Sequence, residues 1–342
     1  MKRIPSLDGF RAISILLVLL AHSRLSTGFP LQYADIVKHG DVGVTIFFVI
    51  SGFLITNLLF VEQSLNNQIN IKSFYIRRAF RILPVFLTYS FFILLIKNVD
   101  QITVTNKNLL HAFTFTMNFE KDKCWFIGHF WSLSVEEQFY LFWPILVYLF
   151  KKRLKSILYG LICYSWLARI IAYKYPTLDA LSLSPFFSYS DSILIGAWGG
   201  IFFFENKHQK IVGILKNPIL QFIAVILIGL FVYLSGHGKL ALISLPFGNT
   251  IISLAILFML LAYAVPSDNL IFKILNNKII VHIGVLSYSI YIWQQFFFLG
   301  YLKVFWRYFP YNLGVVYLVS AASYYLLEKP VLNLRKKITN AQ

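Results

Sequence analysis

The chain alternates long apolar runs with short polar breaks from end to end. Runs of about 15 to 20 residues lie near 10–25, 43–61, 82–97, 135–150, 156–173, 188–204, 217–235, 247–265, 280–300 and 311–328, close to the ~20 residues that a helix needs to cross a bilayer. The pattern predicts an all-α integral membrane protein with about ten transmembrane helices. Together they take up about 200 residues and leave no room for a soluble catalytic domain, so 1–342 reads as a single membrane-embedded domain. The third run is short and carries Pro84 near its start, and residues 109–119 are too few to span, so they read as a re-entrant or interfacial segment. Lys2 and Arg3 ahead of Ala12 to Ala21 imitate a secretory signal. Asp8 and Arg11 interrupt that approach and Ala21-His22-Ser23 is a poor cleavage site, so the run is expected to stay as the first span. Placing both termini in the cytoplasm gathers most of the 31 Lys and Arg into cytoplasmic loops, which favours an N-in, C-in orientation.

Composition agrees and narrows the class. Hydrophobic residues make up 58% and charged residues 13%, against about 25% charged in a soluble domain. With 34 Phe and 20 Tyr, more than a water-facing surface would tolerate, a soluble enzyme, a disordered chain and a nucleic-acid-binding domain are all excluded. The net charge of +17 comes from basic residues set between apolar runs, where they orient the protein and can hold anionic ligands or membrane lipids. Cys124 and Cys163 lie far apart and support neither a disulfide framework nor a cysteine metal site.

Charged groups inside spans are costly and mark candidate function. The first run holds two candidates, Arg11 and His22. Eleven residues is three helical turns plus about 20°, so both share one face roughly 16 Å apart. That spacing suits a long anionic donor entering from the cytoplasm with its reactive end at His22; the plain alternative is a snorkelling arginine and an interfacial histidine. Arg78 and Arg81, three apart, can face one phosphate ligand or serve as an ordinary positive-inside anchor. Glu136 and Glu137 open an apolar helix, where Ser132 with Glu136 or Ser134 with Glu137 could cap it; alternatively Glu137, Ser132 and Tyr140 shape a site. Arg169 and Asp191, at the outer ends of neighbouring spans, either pair with each other or line an acceptor entrance. The other histidines (His39, His111, His129, His208, His237 and His282) sit in loops or at span ends without metal-ligand spacing, and no metal is expected.

The run SLDGFRAISILLVLLAH resembles the acyltransferase-3 family of membrane acyltransferases, whose mark is a basic residue, ten residues, then His. VTIFFVISGFLI (Val44–Ile55), Arg78-Ala79-Phe80-Arg81, WSLSVEEQFYLFWP (Trp131–Pro144), Asp191 to Gly196 and Glu328-Lys329-Pro330 resemble further family elements in the same order. The resemblance implies transfer of an acyl group, usually acetyl, from acyl-CoA to a hydroxyl. His22 would be the general base, Arg11 would hold the donor or stabilise charge, and Asp8 would orient Arg11. Arg78 and Arg81 would bind the phosphates of CoA, with Glu137 also at the site and Ser132, Tyr140, Arg169 and Asp191 toward the acceptor. The expected acceptor is a glycan: lipopolysaccharide O-antigen, capsule or exopolysaccharide. Acetyl-CoA would be a substrate, with no cofactor bound permanently and no appended soluble SGNH domain. The expected setting is the bacterial inner membrane, with separate polysaccharide-assembly proteins as partners and no nucleic acid. One departure stands out: the family commonly has His where this chain has Gln294, so Gln294 or Gln295 could only hydrogen-bond and His22 is left as the sole intramembrane base. The competing class is a multi-span transporter or exporter, and within the enzymes a non-glycan acceptor.

Overall fold

The computed structural model describes residues 4–97, 102–175, 177, 184–299 and 304–340. Lys2 and Arg3, which precede the first apolar run and count among the cytoplasmic basic residues, lie outside the described residues. Each of the ten apolar runs forms a helix: α1 (Leu7–Ser23), α2 (Gly40–Asn66), α3 (Ile71–Ile96), α4 (Phe130–Phe150), α5 (Leu154–Lys174), α6 (Ser184–Phe204), α7 (Pro218–Gly236), α8 (Ala241–Tyr263), α9 (Lys278–Phe298) and α10 (Tyr311–Ser323). From α10 the chain passes through a π turn, Tyr324–Glu328, into α11 (Lys329–Asn340). No strand occurs among the described residues. Among the described residues six stretches are long and apolar enough to cross a membrane; they hold α2, α3, α4 with α5, α7, α8 and α9.

Helix starts follow local chemistry more than hydropathy. Asn70 caps α3 by accepting the Ser73 N–H (2.8 Å), so the helix begins well before the apolar run at 82. Asn217 caps α7 through the Ile219 N–H (2.9 Å), and Pro218 occupies the first turn, where its missing N–H costs nothing. The interfacial segment predicted over 109–119 contains the end of a short helix, Asn106–Phe113, and a single turn, Met117–Phe119.

The chain divides into two compact units. The first comprises Met1–Ser14, Asp41–Ile69 and Val135–Gly284. Within it α5 packs on α6, α7 on α8, and α8 on both α5 and α6. The approach of α2 to α6 is made by glycines: a Cβ on Gly52 would lie 1.8 Å from the Ile193 carbonyl oxygen, one on Gly196 2.2 Å from that of Val49, and one on Gly200 2.5 Å from that of Phe53. Small residues spaced by four along α6 thus let two backbones touch, a common way for helices to associate in lipid. Trp143 is buried beside this seam and donates its indole N–H to Thr56 Oγ1 (2.8 Å).

The second unit comprises Ile15–Gly40, Asn70–Ser134 and Val285–Gln342. In it α11 and the π turn pack on α3. The 106–124 segment is tied by Glu120, whose side chain is fully covered and bonds Lys107 (3.0 Å), His111 (3.2 Å) and the Asp122 N–H (2.9 Å). Burial alone would push this carboxyl up, but the Asp122 N–H, Lys107 and His111 outweigh it and hold it below the usual carboxylate range.

Candidate active site

In the second unit His22 sits in the last turn of α1, with Nδ1 2.8 Å from Gln294 Oε1 on α9. Trp125 stands edge-on to the imidazole with ring centres 5.3 Å apart, and its indole N–H is fixed by the Gln295 carbonyl (2.8 Å). The adjacent amide repeats the arrangement: Gln295 Oε1 lies 2.6 Å from His129 Nδ1, and His129 Nε2 is 3.2 Å from the Ile292 carbonyl. Tyr291 donates to the His129 carbonyl (2.9 Å) and shares a hydrogen bond with Ser132. Gln294, Gln295 and His129 are all buried. Buried amides are costly unless bonded, and both glutamines bond a histidine. The expectation that they could only hydrogen-bond thus meets its partners. His129, placed at a span end by sequence, is fully packed, and nothing in its local sequence signals the contact with Gln295.

A cationic group forms elsewhere in this unit. Arg81 pairs with the fully buried Glu328, which also accepts from Ser289 (3.1 Å). Arg77 donates to Ser73 (2.6 Å), and the Arg78 guanidinium lies 5.7 Å from the Phe74 ring centre. Burial, with the charges of Arg77 and Arg81, holds Arg335 on α11 below its ordinary pKa. Arg78 and Arg81 stand just before the apolar run at 82 but not at the start of the helix; α3 begins at Ile71 and places them in its third turn. Arg81 is committed to Glu328, so the freedom to face a ligand together with Arg78 is smaller than expected.

The first unit holds the remaining predicted residues. Asp8 and Arg11 pair at 2.7 Å, as the i, i+3 spacing implied. Both line a cavity of about 770 Å³ whose other walls include Leu54, Asn57, Phe203 and Pro266, an apolar chamber with one ion pair. Gly284 leaves room for the Asp8 backbone: its Cβ would fall 1.8 Å from the Asp8 carbonyl oxygen. Around α4, Ser51 and Tyr140 both donate to one oxygen of Glu136. This corrects the capping alternative. Because α4 starts at Phe130, Ser132 and Ser134 lie inside the helix and Ser134 bonds the Phe130 carbonyl (2.8 Å), leaving Glu136 and Glu137 beyond its first turn. Sequence reasoning favoured Glu137 with Tyr140 and missed Ser51–Glu136, a contact between helices far apart in the chain. Arg169 and Asp191 do pair (2.5 Å), nearly or fully buried. Thr250 and Asn249 donate to Asp191 (2.6 Å each), and Arg169 reaches the Ser188 (3.0 Å) and Pro246 (2.5 Å) carbonyls.

Comparison with known proteins adds to this geometry. A family model described as an acyltransferase domain matches residues 4–327. A protein of Staphylococcus aureus strain COL with the provisional name of an O-acetyltransferase is 29% identical over 96% of this chain and 57% of its own length. The peptidoglycan O-acetyltransferase OatA of Listeria monocytogenes is 32% identical over 45% of this chain and 26% of its own. A Bacillus subtilis protein provisionally named as a peptidoglycan O-acetyltransferase is 29% identical over 44% of this chain and 25% of its own. The chain spans little more than half the length of the staphylococcal relatives it matches. No solved structure matches.

Proposed function

Because the chain belongs to this acyltransferase family, as a multi-pass membrane protein, we propose that it moves an acetyl group from acetyl-CoA to a hydroxyl of a cell-surface glycan in the bacterial inner membrane. The observation that carries the reading is His22: an imidazole held from one side by Gln294 and from another by Trp125, on a helix that the sequence assigns to the membrane, where a polar group without a task is a liability.

In the proposed step the acceptor hydroxyl gives its proton to the free ring nitrogen of His22 as its oxygen attacks the thioester carbonyl. The tetrahedral intermediate then expels the CoA sulfur as the C–S bond breaks, and that sulfur takes the proton back from His22. The products are an acetyl ester and CoA, and His22 returns to its starting state. Arg77, Arg78 and Arg335 supply the positive charge for the donor's phosphates, and the repulsion felt by Arg335 is relieved by an anion. Arg11, held by Asp8 in its cavity wall, is assigned to the donor as well. Glu137, Ser132, Tyr140, Arg169 and Asp191 are assigned to shaping the acceptor side. The relatives named for peptidoglycan make that glycan a candidate acceptor beside O-antigen, capsule and exopolysaccharide. Polysaccharide-assembly proteins would supply the acceptor chain.

Membranes carrying the wild type or a well-expressed His22→Ala variant are incubated with labelled acetyl-CoA and the host glycan fraction, and base-labile label on glycan is counted. Label with wild type and none with His22→Ala is expected. Equal label from both would remove His22 from the chemistry.

A further inference from the structure

We propose that Gln294 is the positioning residue of His22: its Oε1 accepts the Nδ1–H and so leaves Nε2 as the nitrogen that takes the proton. The inference rests on the acyltransferase reading for its consequence, but on geometry for its content. A neutral imidazole carries one proton and can place it on either nitrogen, so a base needs something to choose. Here Gln294 Oε1 lies 2.8 Å from Nδ1.

Three further observations favour this assignment. Gln294 is fully buried, yet its amide Nε2 finds no hydrogen-bond partner among the described residues, so the bond to His22 is the one use its carboxamide has there. An unmet buried donor is a cost that a leucine or methionine in the same space would avoid. Trp125 closes another side of the imidazole and is itself pinned by the neighbouring Gln295 carbonyl, so the ring is fixed as well as its tautomer. Finally, an amide oxygen orients the ring without introducing a charge, which would be expensive in so buried a position. The described charged or titratable groups that act on His22 are Arg24, two residues along the chain, and His129.

Two measurements test the assignment. Nitrogen-15 NMR of histidine-labelled protein in lipid, with the His22 signals identified by their loss in His22→Gln, reads the tautomer without any need for activity. A protonated Nδ1 and bare Nε2 in wild type, with the preference lost in Gln294→Met, are expected. A bare Nδ1 in wild type overturns the proposal. The second measurement is the pH–rate profile for acetyl-CoA and host glycan. Gln294→Met should lower kcat by about 10²-fold with KM for acetyl-CoA unchanged. Gln294→Glu keeps the acceptor oxygen and adds a charge that favours imidazolium, so activity should return with the acid limb of the profile moved to higher pH. A Gln294→Glu profile that stays in place, or a Gln294→Met enzyme as fast as wild type, overturns it. If wild type itself transfers nothing to glycan, the function reading fails while the NMR still decides the tautomer.

Discussion

Replacing Gly52 by alanine probes one of the two tightest backbone contacts that glycines make in the first unit. The added methyl carbon would stand 1.8 Å from the Ile193 carbonyl oxygen, where ordinary contact begins at 3.4 Å. The backbones of α2 and α6 must therefore part by roughly 1.6 Å, since neither atom belongs to a side chain that can rotate away. Alanine in a helix interior gains about 1 kcal/mol over glycine. Overpacking typically costs about 1–3 kcal/mol, and a backbone-to-backbone clash belongs at the upper end. The net expectation is a loss of about 2 kcal/mol, roughly thirtyfold in the folding equilibrium. Gly160→Ala is the matched control, because its methyl meets nothing within 4 Å and should leave stability unchanged or raised. Both variants and the wild type are unfolded side by side in detergent micelles, by heat and by denaturant. A Gly52→Ala protein as stable as Gly160→Ala would refute the claim that α2 and α6 touch through their glycines.

Two further outcomes follow from buried charge. Asp191→Asn leaves Arg169 without its counter-ion in a nearly closed site, and a loss of about 3–5 kcal/mol is expected in the same unfolding assay; a change below 1 kcal/mol would mean that the Ser188 and Pro246 carbonyls suffice. For Glu120, the folded-state pKa lies below its unfolded value, so its stabilisation is present above about pH 4.5 and disappears as pH falls through the lower, folded-state value. Protection factors for amide hydrogen exchange over 105–124 should therefore fall in that acid window in wild type and show no such dependence in Glu120→Gln; parallel profiles would count against the clamp.

Hydropathy identified the ten helices because each apolar run is its own signal, read without reference to any other part of the chain. It misplaced the start of α3, since Lys72, Ser73, Arg77 and Arg78 look like a loop although Asn70 has already capped the helix. It misplaced the start of α4 for a related reason: Phe130 to Ser134 is helical before the continuous apolar stretch begins. Within one helix, spacing sufficed for Asp8 with Arg11. Across helices it did not. Ser51 with Glu136, Gln294 with His22 and Arg81 with Glu328 join residues 85, 272 and 247 positions apart, and no periodicity of a single chain encodes such distances. The glycines of α2 and α6 were visible only as fragments of a resemblance, because what they permit is the absence of a side chain.

The π turn at Tyr324–Glu328 gives the last helix a constraint of length. A helix advances by about 100° per residue, and a π turn accommodates one residue more than the α-helical count. Removing a single residue from it ahead of Glu328 would restore plain α-helix and shift the phase of Glu328, together with α11, relative to α10. The carboxylate would leave Arg81 and Ser289 even though every residue type that makes the bond is still present. At this point of the chain, insertions and deletions are more disruptive than substitutions, and the spacing between α10 and α11 carries as much information as the residues within it.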